Sequence, residues 1–223
     1  MNSVRLYYIK HQGEDDLAQI NALLIEQWLA ALSAEKQAAV QQLLHYNNRV
    51  TSLLGLYLLN RCASDEGVSN FKLCDVQYPD TGKPFWQQGN FFYDFNISHS
   101  ANFIIVAAST TLKVGIDVEQ IKILKNLNFK RIMSADELAK IQKTPSSFFD
   151  LWTKKEAVVK AANTTGLARM GAVELKQDSA TLDGEEWHLK KINLDDEYVI
   201  NLASAELVDE LIVKKITLAQ LPS

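Results

Sequence analysis

Three β-rich segments, Phe91 to Ile97, Phe103 to Ser109 and Lys113 to Val118, follow one another, with helical patterns before and after them. A doubly wound sheet needs helices and strands in regular alternation. Here they do not alternate, so the order reads as α+β.

Ahead of the β-rich stretch, Val4 to Ile9 reads as an opening strand. Leu17, Ile20, Leu23, Leu24 and Trp28 follow helical spacing behind a cap at Asp15 or Asp16. Ser33 caps a second helix toward Leu44, and Val50 to Leu59 continues to Cys62 as a central helix that Asp65-Glu66-Gly67 ends. Phe71 to Val76 reads as a strand, and Pro79-Asp80-Thr81-Gly82-Lys83-Pro84 is turn chemistry. Farther on, Ser134 and Glu137 form a capping box, and a helix runs from about Phe148 to Ala162. The tail holds β-like segments at Ala172–Leu175, Trp187–Ile192, Tyr198–Leu202 and Ile212–Ile216.

Composition narrows the function classes. Hydrophobic residues at 47% and charged residues at 22% are proportions of a globular chain with a real core, which excludes disorder and collagen-like repeats. Cys62 and Cys74 are the two cysteines and form no CxxC, so neither a disulfide framework nor structural zinc is expected. The apolar run Phe103 to Ala108 is far too short to span a bilayer, the first residues lack a signal-peptide core, and a cytoplasmic location is expected. A net charge of −4 argues against nucleic acid as a partner. The charge is uneven. Ile121 to Lys160 carries nine basic and four acidic residues, whereas Gly171 to Ser223 carries five and eleven. A basic middle suits an acidic partner or a phosphorylated ligand.

Four clusters carry candidate chemistry. In Gly115-Ile116-Asp117-Val118-Glu119, strand alternation turns Ile116 and Val118 to the core and both carboxylates to the other side. Adjacent carboxylates repel unless a cation lies between them, and hard oxygen ligands suit Mg²⁺. Trp152, Glu156 and Lys160 share one helix face, with Lys155 round the helix from Glu156. Asn96-Ile97-Ser98-His99-Ser100 offers hydroxyl and imidazole donors, and Gly82-Lys83-Pro84 presents a lysine at a fixed angle. Each cluster taken alone also fits an ordinary role: a solvated strand face, a surface ion pair, a plain turn. A serine hydrolase is rejected, because adjacent Ser and His rarely align as nucleophile and base and no Gly-x-Ser-x-Gly elbow occurs.

The order and spacing of the four motifs are specific. Gly-Lys-Pro, Asn-Ile-Ser-His-Ser, Gly-Ile-Asp-Val-Glu and Phe-x-x-x-Trp-x-x-Lys-Glu-Ala-x-x-Lys, the last from Phe148 to Lys160, resemble the Sfp-type 4′-phosphopantetheinyl transferases over about residues 81–167. The resemblance implies a pseudo-dimer of two α+β halves, residues 1–112 and 113–223, with coenzyme A in the cleft between them. It implies transfer of 4′-phosphopantetheine to a serine of an acyl or peptidyl carrier protein, with release of adenosine 3′,5′-bisphosphate. Asp117, Glu119 and Glu156 would hold Mg²⁺, and Glu156 would also be the general base, directly or through water. Lys160 would bind the diphosphate, and His99 with Ser98 the 3′-phosphate. Lys83 would lie near the nucleotide, Lys155 would also contact the ligand, and Arg49, before the central helix, would reach the 3′-phosphate, with Ser52 as a hydroxyl contact. An acidic carrier would dock on Ile121 to Lys143, touching Leu124, Leu127 and Phe129, and the intramolecular pseudo-dimer implies a monomer.

Two alternatives differ in class. One is a catalytically silent coenzyme A or carrier-binding protein, which the presence of all three carboxylates argues against. The other is a Mg²⁺-dependent nuclease. Such sites usually place a lysine two residues after the second acid, and Ile121 stands there.

Overall fold

The computed structural model describes residues 1–124 and 129–222. The chain opens with β1 (Ser3–Lys10), then α1 (Glu14–Ala18), α2 (Ala22–Ala30), α3 (Ala34–Gln41) and the long α4 (Tyr46–Glu66). β2 (Trp86–Gln88), β3 (Phe91–Ser100), β4 (Phe103–Ser109) and β5 (Val114–Gln120) follow. After them come α5 (Ala135–Lys143), α6 (Ser147–Ala161) and α7 (Leu167–Gly171). The tail forms β6 (Glu174–Leu175), β7 (Ser179–Leu182), β8 (Glu185–Lys191), β9 (Tyr198–Ser204) and β10 (Glu210–Lys215).

Two five-stranded sheets result, ordered β10-β1-β4-β3-β2 and β5-β9-β8-β7-β6. α4 packs on the first and α6 on the second, which makes a two-lobed α+β pseudo-dimer. β4 explains how the lobes join. Ile104, Val106 and Ala108 face α4, while Phe103, Ile105 and Ala107 join Val114, Ile116 and Val118 of β5 in a core between the sheets. Burial on both faces is why β4 reads as an unbroken apolar run rather than an alternating one.

Local signals account for most boundaries. Ser33 accepts from Lys36 N–H at the start of α3. Ser134 and Glu137 close both halves of their capping box. Gly67 ends α4 in the left-handed conformation, with φ of 73°, that glycine adopts without steric cost.

Several expectations are corrected. The first helix is two, because Asn21 caps Leu23 N–H and restarts the chain as α2. Residues 71–76 form a 3₁₀ turn at Leu73–Asp75, which folds Leu73 and Val76 together into the first core. Ser179–Leu182, not expected as a strand, pairs with β8. The cut at 112/113 falls between β4 and β5, but the tail returns across it: β10 runs parallel to β1, with Leu6 opposite Val213, and Ile216 lies in the first core.

Candidate active site

The site forms where β5 meets α6 and β3. Gly115 allows the first contact. A Cβ there would penetrate the Ala157 carbonyl and the Ala161 amide, so a bare backbone lets the helix lie against the strand. Two residues on, Asp117 faces the same side, 5% exposed, and its Oδ1 lies 2.7 Å from the Lys160 ammonium. Lys160 is 4.0 Å from the Glu156 carboxylate one turn back. Glu119, half-buried, follows Asp117 on the same face of β5.

β5 is an outer strand of its sheet, and side chains of β3 satisfy its outward amides. Val114 N–H donates to Asp94 at 2.6 Å and Ile116 N–H to Asn96 at 2.9 Å. Val118 N–H donates to Ser98 at 3.4 Å and Gln120 N–H to Ser100 at 3.1 Å. The two-residue period of a strand makes this ladder possible, and it decides the fate of the Asn-Ile-Ser-His-Ser motif. Asn96, Ser98 and Ser100 face β5. His99 faces the other way, into a cavity of about 220 Å³ lined also by Lys36, Ser52, Tyr78, Pro84 and Ile97.

The electrostatics follow from burial. Burial pushes the Asp117 carboxyl up from its ordinary value, against Lys160 and the Ser98 hydrogen bond, which hold it down. Burial also raises Glu119, opposed by the Ser100 hydroxyl and reinforced by the negative charge of Asp117. Glu156 is raised by burial and by both other acids, with Lys160 opposing. The three acids thus feel one another across two elements. His99 is held below its usual value by burial and then by the Lys160 charge.

Among the described residues, no three His, Cys, Asp or Glu side chains are gathered closely enough to share one metal ion. The Lys160 ammonium stands beside Asp117 instead. The donor set nevertheless fits a hard divalent cation. It is all carboxylate oxygen, and Oδ2 of Asp117 is buried with no hydrogen-bond partner among the described residues.

The structure brings Asp117, Lys160 and Glu156 together, with Glu119 on the same face of β5 as Asp117. Other expected residues lie elsewhere. Lys83 is 8% exposed, and its ammonium donates to Asp94 at 2.5 Å and to the Val114 carbonyl at 2.6 Å, so it ties the two lobes. Lys155 is 2% exposed and donates to the Val173 carbonyl at 2.7 Å, beside Glu137 at 3.2 Å, inside the second lobe. The Ser98 hydroxyl donates to Asp117 at 2.9 Å, away from the His99 side. Arg49 donates to the Leu43 carbonyl at 2.8 Å. Lys36, not Arg49, lines the His99 cavity, with its ammonium 4.5 Å from the Tyr78 ring centre. The roles of Asp94 and Ser100 were also missed. Their signal was present: polar residues at 94, 96, 98 and 100 give one strand face that meets another backbone rather than a core.

Past Glu119 the chain exposes Ile121 (41%) and Ile123 (92%), with Lys122 between them. Of the other residues expected to dock a partner, Phe129 stacks on Phe148 at 4.2 Å, and Leu124 packs on the second core. Lys125 and Leu127 lie outside the described residues. No described helix is long and apolar enough to cross a membrane.

Comparison with known proteins agrees with the motif order. Residues 113–205 match the model of the 4′-phosphopantetheinyl transferase superfamily, and residues 23–111 match that of the 4′-phosphopantetheinyl transferase N-terminal region. The chain is 30% identical over 166 residues to the 4′-phosphopantetheinyl transferase psf-1 of Bacillus pumilus, which covers 71% of this chain and 70% of that protein. It is 30% identical over 165 residues to the 4′-phosphopantetheinyl transferase gsp of Aneurinibacillus migulanus, covering 71% and 65%. A 4′-phosphopantetheinyl transferase of Bacillus subtilis is 28% identical over 193 residues, covering 81% and 85%. On its motifs, its two-lobed fold and these matches, the chain belongs to the Sfp-type 4′-phosphopantetheinyl transferases.

Proposed function

We propose that the chain transfers 4′-phosphopantetheine from coenzyme A to a serine of an apo carrier protein. The observation that carries this reading is Lys160 held between Asp117 and Glu156, with Glu119 following Asp117 on the same face of β5. The His99 cavity is the place for the 3′-phosphate end of coenzyme A, where Lys36 and His99 supply donors and Lys36 the charge. Lys83 ties the lobes, Lys155 ties α6 to Val173 and to α5, and Arg49 ties α4 to the Leu43 carbonyl ahead of it.

Asp117, Glu119 and Glu156 would hold Mg²⁺, which when bound neutralises charge on the diphosphate. The serine oxygen forms a bond to the phosphorus that carries the pantetheine arm, and the bond from that phosphorus to the adenosine bisphosphate oxygen breaks. Lys160 faces the oxygens on which charge builds. Glu156 takes the serine proton, directly or through water. The leaving group departs as a phosphate, so no acid is needed to protonate it. The carrier docks beside Ile121 and Ile123, with Lys122 and Lys130 meeting its acidic surface.

The test is release of adenosine 3′,5′-bisphosphate from coenzyme A. Release is expected with an apo carrier and absent with a carrier whose modified serine is replaced by alanine. Tight coenzyme A binding without release would point to a silent binding protein.

A further inference from the structure

The β3 ladder changes its chemistry along its length. At the first two rungs Asp94 and Asn96 accept from Val114 and Ile116, whose preceding residues, Lys113 and Gly115, carry no acid. At the next two rungs the preceding residues are Asp117 and Glu119, and both β3 partners are serines. A carboxylate there would repel the acid beside it. A serine hydroxyl has lone pairs for the amide and one proton left to donate.

Both serines use that proton in the same way. Ser98 accepts from Val118 N–H and donates to Asp117 Oδ1 at 2.9 Å. Ser100 accepts from Gln120 N–H and donates to Glu119 Oε2 at 2.9 Å. Each hydroxyl thus grips the carboxylate of one residue and the amide of the next.

We infer that Ser98 and Ser100 are positioning residues, which fix the Asp117 and Glu119 carboxylates on the face of β5 that meets α6. The inference rests on the reading of Asp117, Glu119 and Glu156 as cation ligands. One oxygen of each carboxylate is engaged by its serine, and Oδ2 of Asp117 is left without a partner among the described residues.

Mn²⁺ alone serves as the probe, with binding followed by electron paramagnetic resonance and folding by thermal melting. Ser100→Ala is expected to weaken Mn²⁺ binding about tenfold, the range seen when the partner of a ligating carboxylate is lost. Ser100→Thr, which keeps the hydroxyl, is expected to bind nearly as wild type. Asn96→Ala removes a rung that touches no acid, so it should lower the melting point and leave Mn²⁺ affinity unchanged. If Ser100→Ala loses stability but binds Mn²⁺ as wild type does, the serines only cap a strand edge and the inference is overturned. A wild-type protein that binds no Mn²⁺, or a Glu119→Ala variant that binds it undiminished, would instead overturn the metal reading beneath it.

Discussion

The Lys160 ammonium sits 2.7 Å from Oδ1 of Asp117, while Oδ2 of the same carboxylate is buried without a hydrogen-bond partner among the described residues. A buried carboxylate that loses its cation is costly. Lys160→Met should therefore destabilise the fold by about 2 kcal/mol in EDTA. Mg²⁺ should then raise the melting point of the variant more than that of wild type. A variant as stable as wild type and indifferent to Mg²⁺ would refute this.

Lys83 and Asp94 make a different kind of pair. Both are buried, and Asp94 also receives Val114 N–H, so the pair fixes the start of the strand that carries Asp117. Lys83→Met should cost about 3 kcal/mol in denaturant unfolding, as expected when one member of a buried pair is removed. The KM for coenzyme A of the folded fraction should hardly change. Normal stability with a much higher KM would place Lys83 on the nucleotide after all.

The His99 cavity separates Lys36 from Arg49. Lys36→Ala should raise the KM for coenzyme A about tenfold or more, the scale of one charged hydrogen bond, whereas Arg49→Ala should not. The Lys36 effect should vanish with dephospho-coenzyme A, which lacks the 3′-phosphate. Equal effects on both substrates would remove the phosphate from this cavity.

Asp65 joins α4 to the returning tail. It accepts from Lys214 of β10 at 2.8 Å and from Tyr7 at 2.7 Å. Burial pushes its carboxyl up, but these hydrogen bonds and Arg61 hold it down to about 2. A depressed carboxyl adds stability that is complete above its unfolded value near pH 4 and is lost as pH falls toward 2. Asp65→Asn should therefore be less stable than wild type at about pH 6, and the gap should close as the pH drops toward 2. A gap that stays constant with pH would show that the charge is not responsible.

Charge reversal tests the docking face. Lys122→Glu with Lys130→Glu should raise the KM for the carrier and leave that for coenzyme A alone. Parallel changes in both would argue against a docking role.

What was legible from sequence alone followed local rules. Ile116 and Val118 alternate with Asp117 and Glu119 in the structure as the strand period requires, and Ser134 closes its box with Glu137. Glu156 and Lys160 share a face because they stand one helical turn apart. What was not legible depends on partners far along the chain. Lys83 finds Val114, 31 residues on, and Lys155 finds Val173, 18 residues on, so motifs that read as ligand-facing turned inward. Ser98 and His99 are neighbours in sequence but face opposite sides, and which side meets the second lobe is decided only when β3 and β5 come together. β10 carries no local mark that it pairs with β1 rather than with its sequence neighbours.

The acids and Lys160 on β5 and α6 are proposed to transfer phosphopantetheine. The most direct test is intact-mass spectrometry of an apo carrier incubated with the protein, coenzyme A and Mg²⁺, beside Glu156→Ala and EDTA controls. A mass gain of one phosphopantetheine group is expected, and both controls should abolish it. An undiminished gain with Glu156→Ala would contradict that proposal.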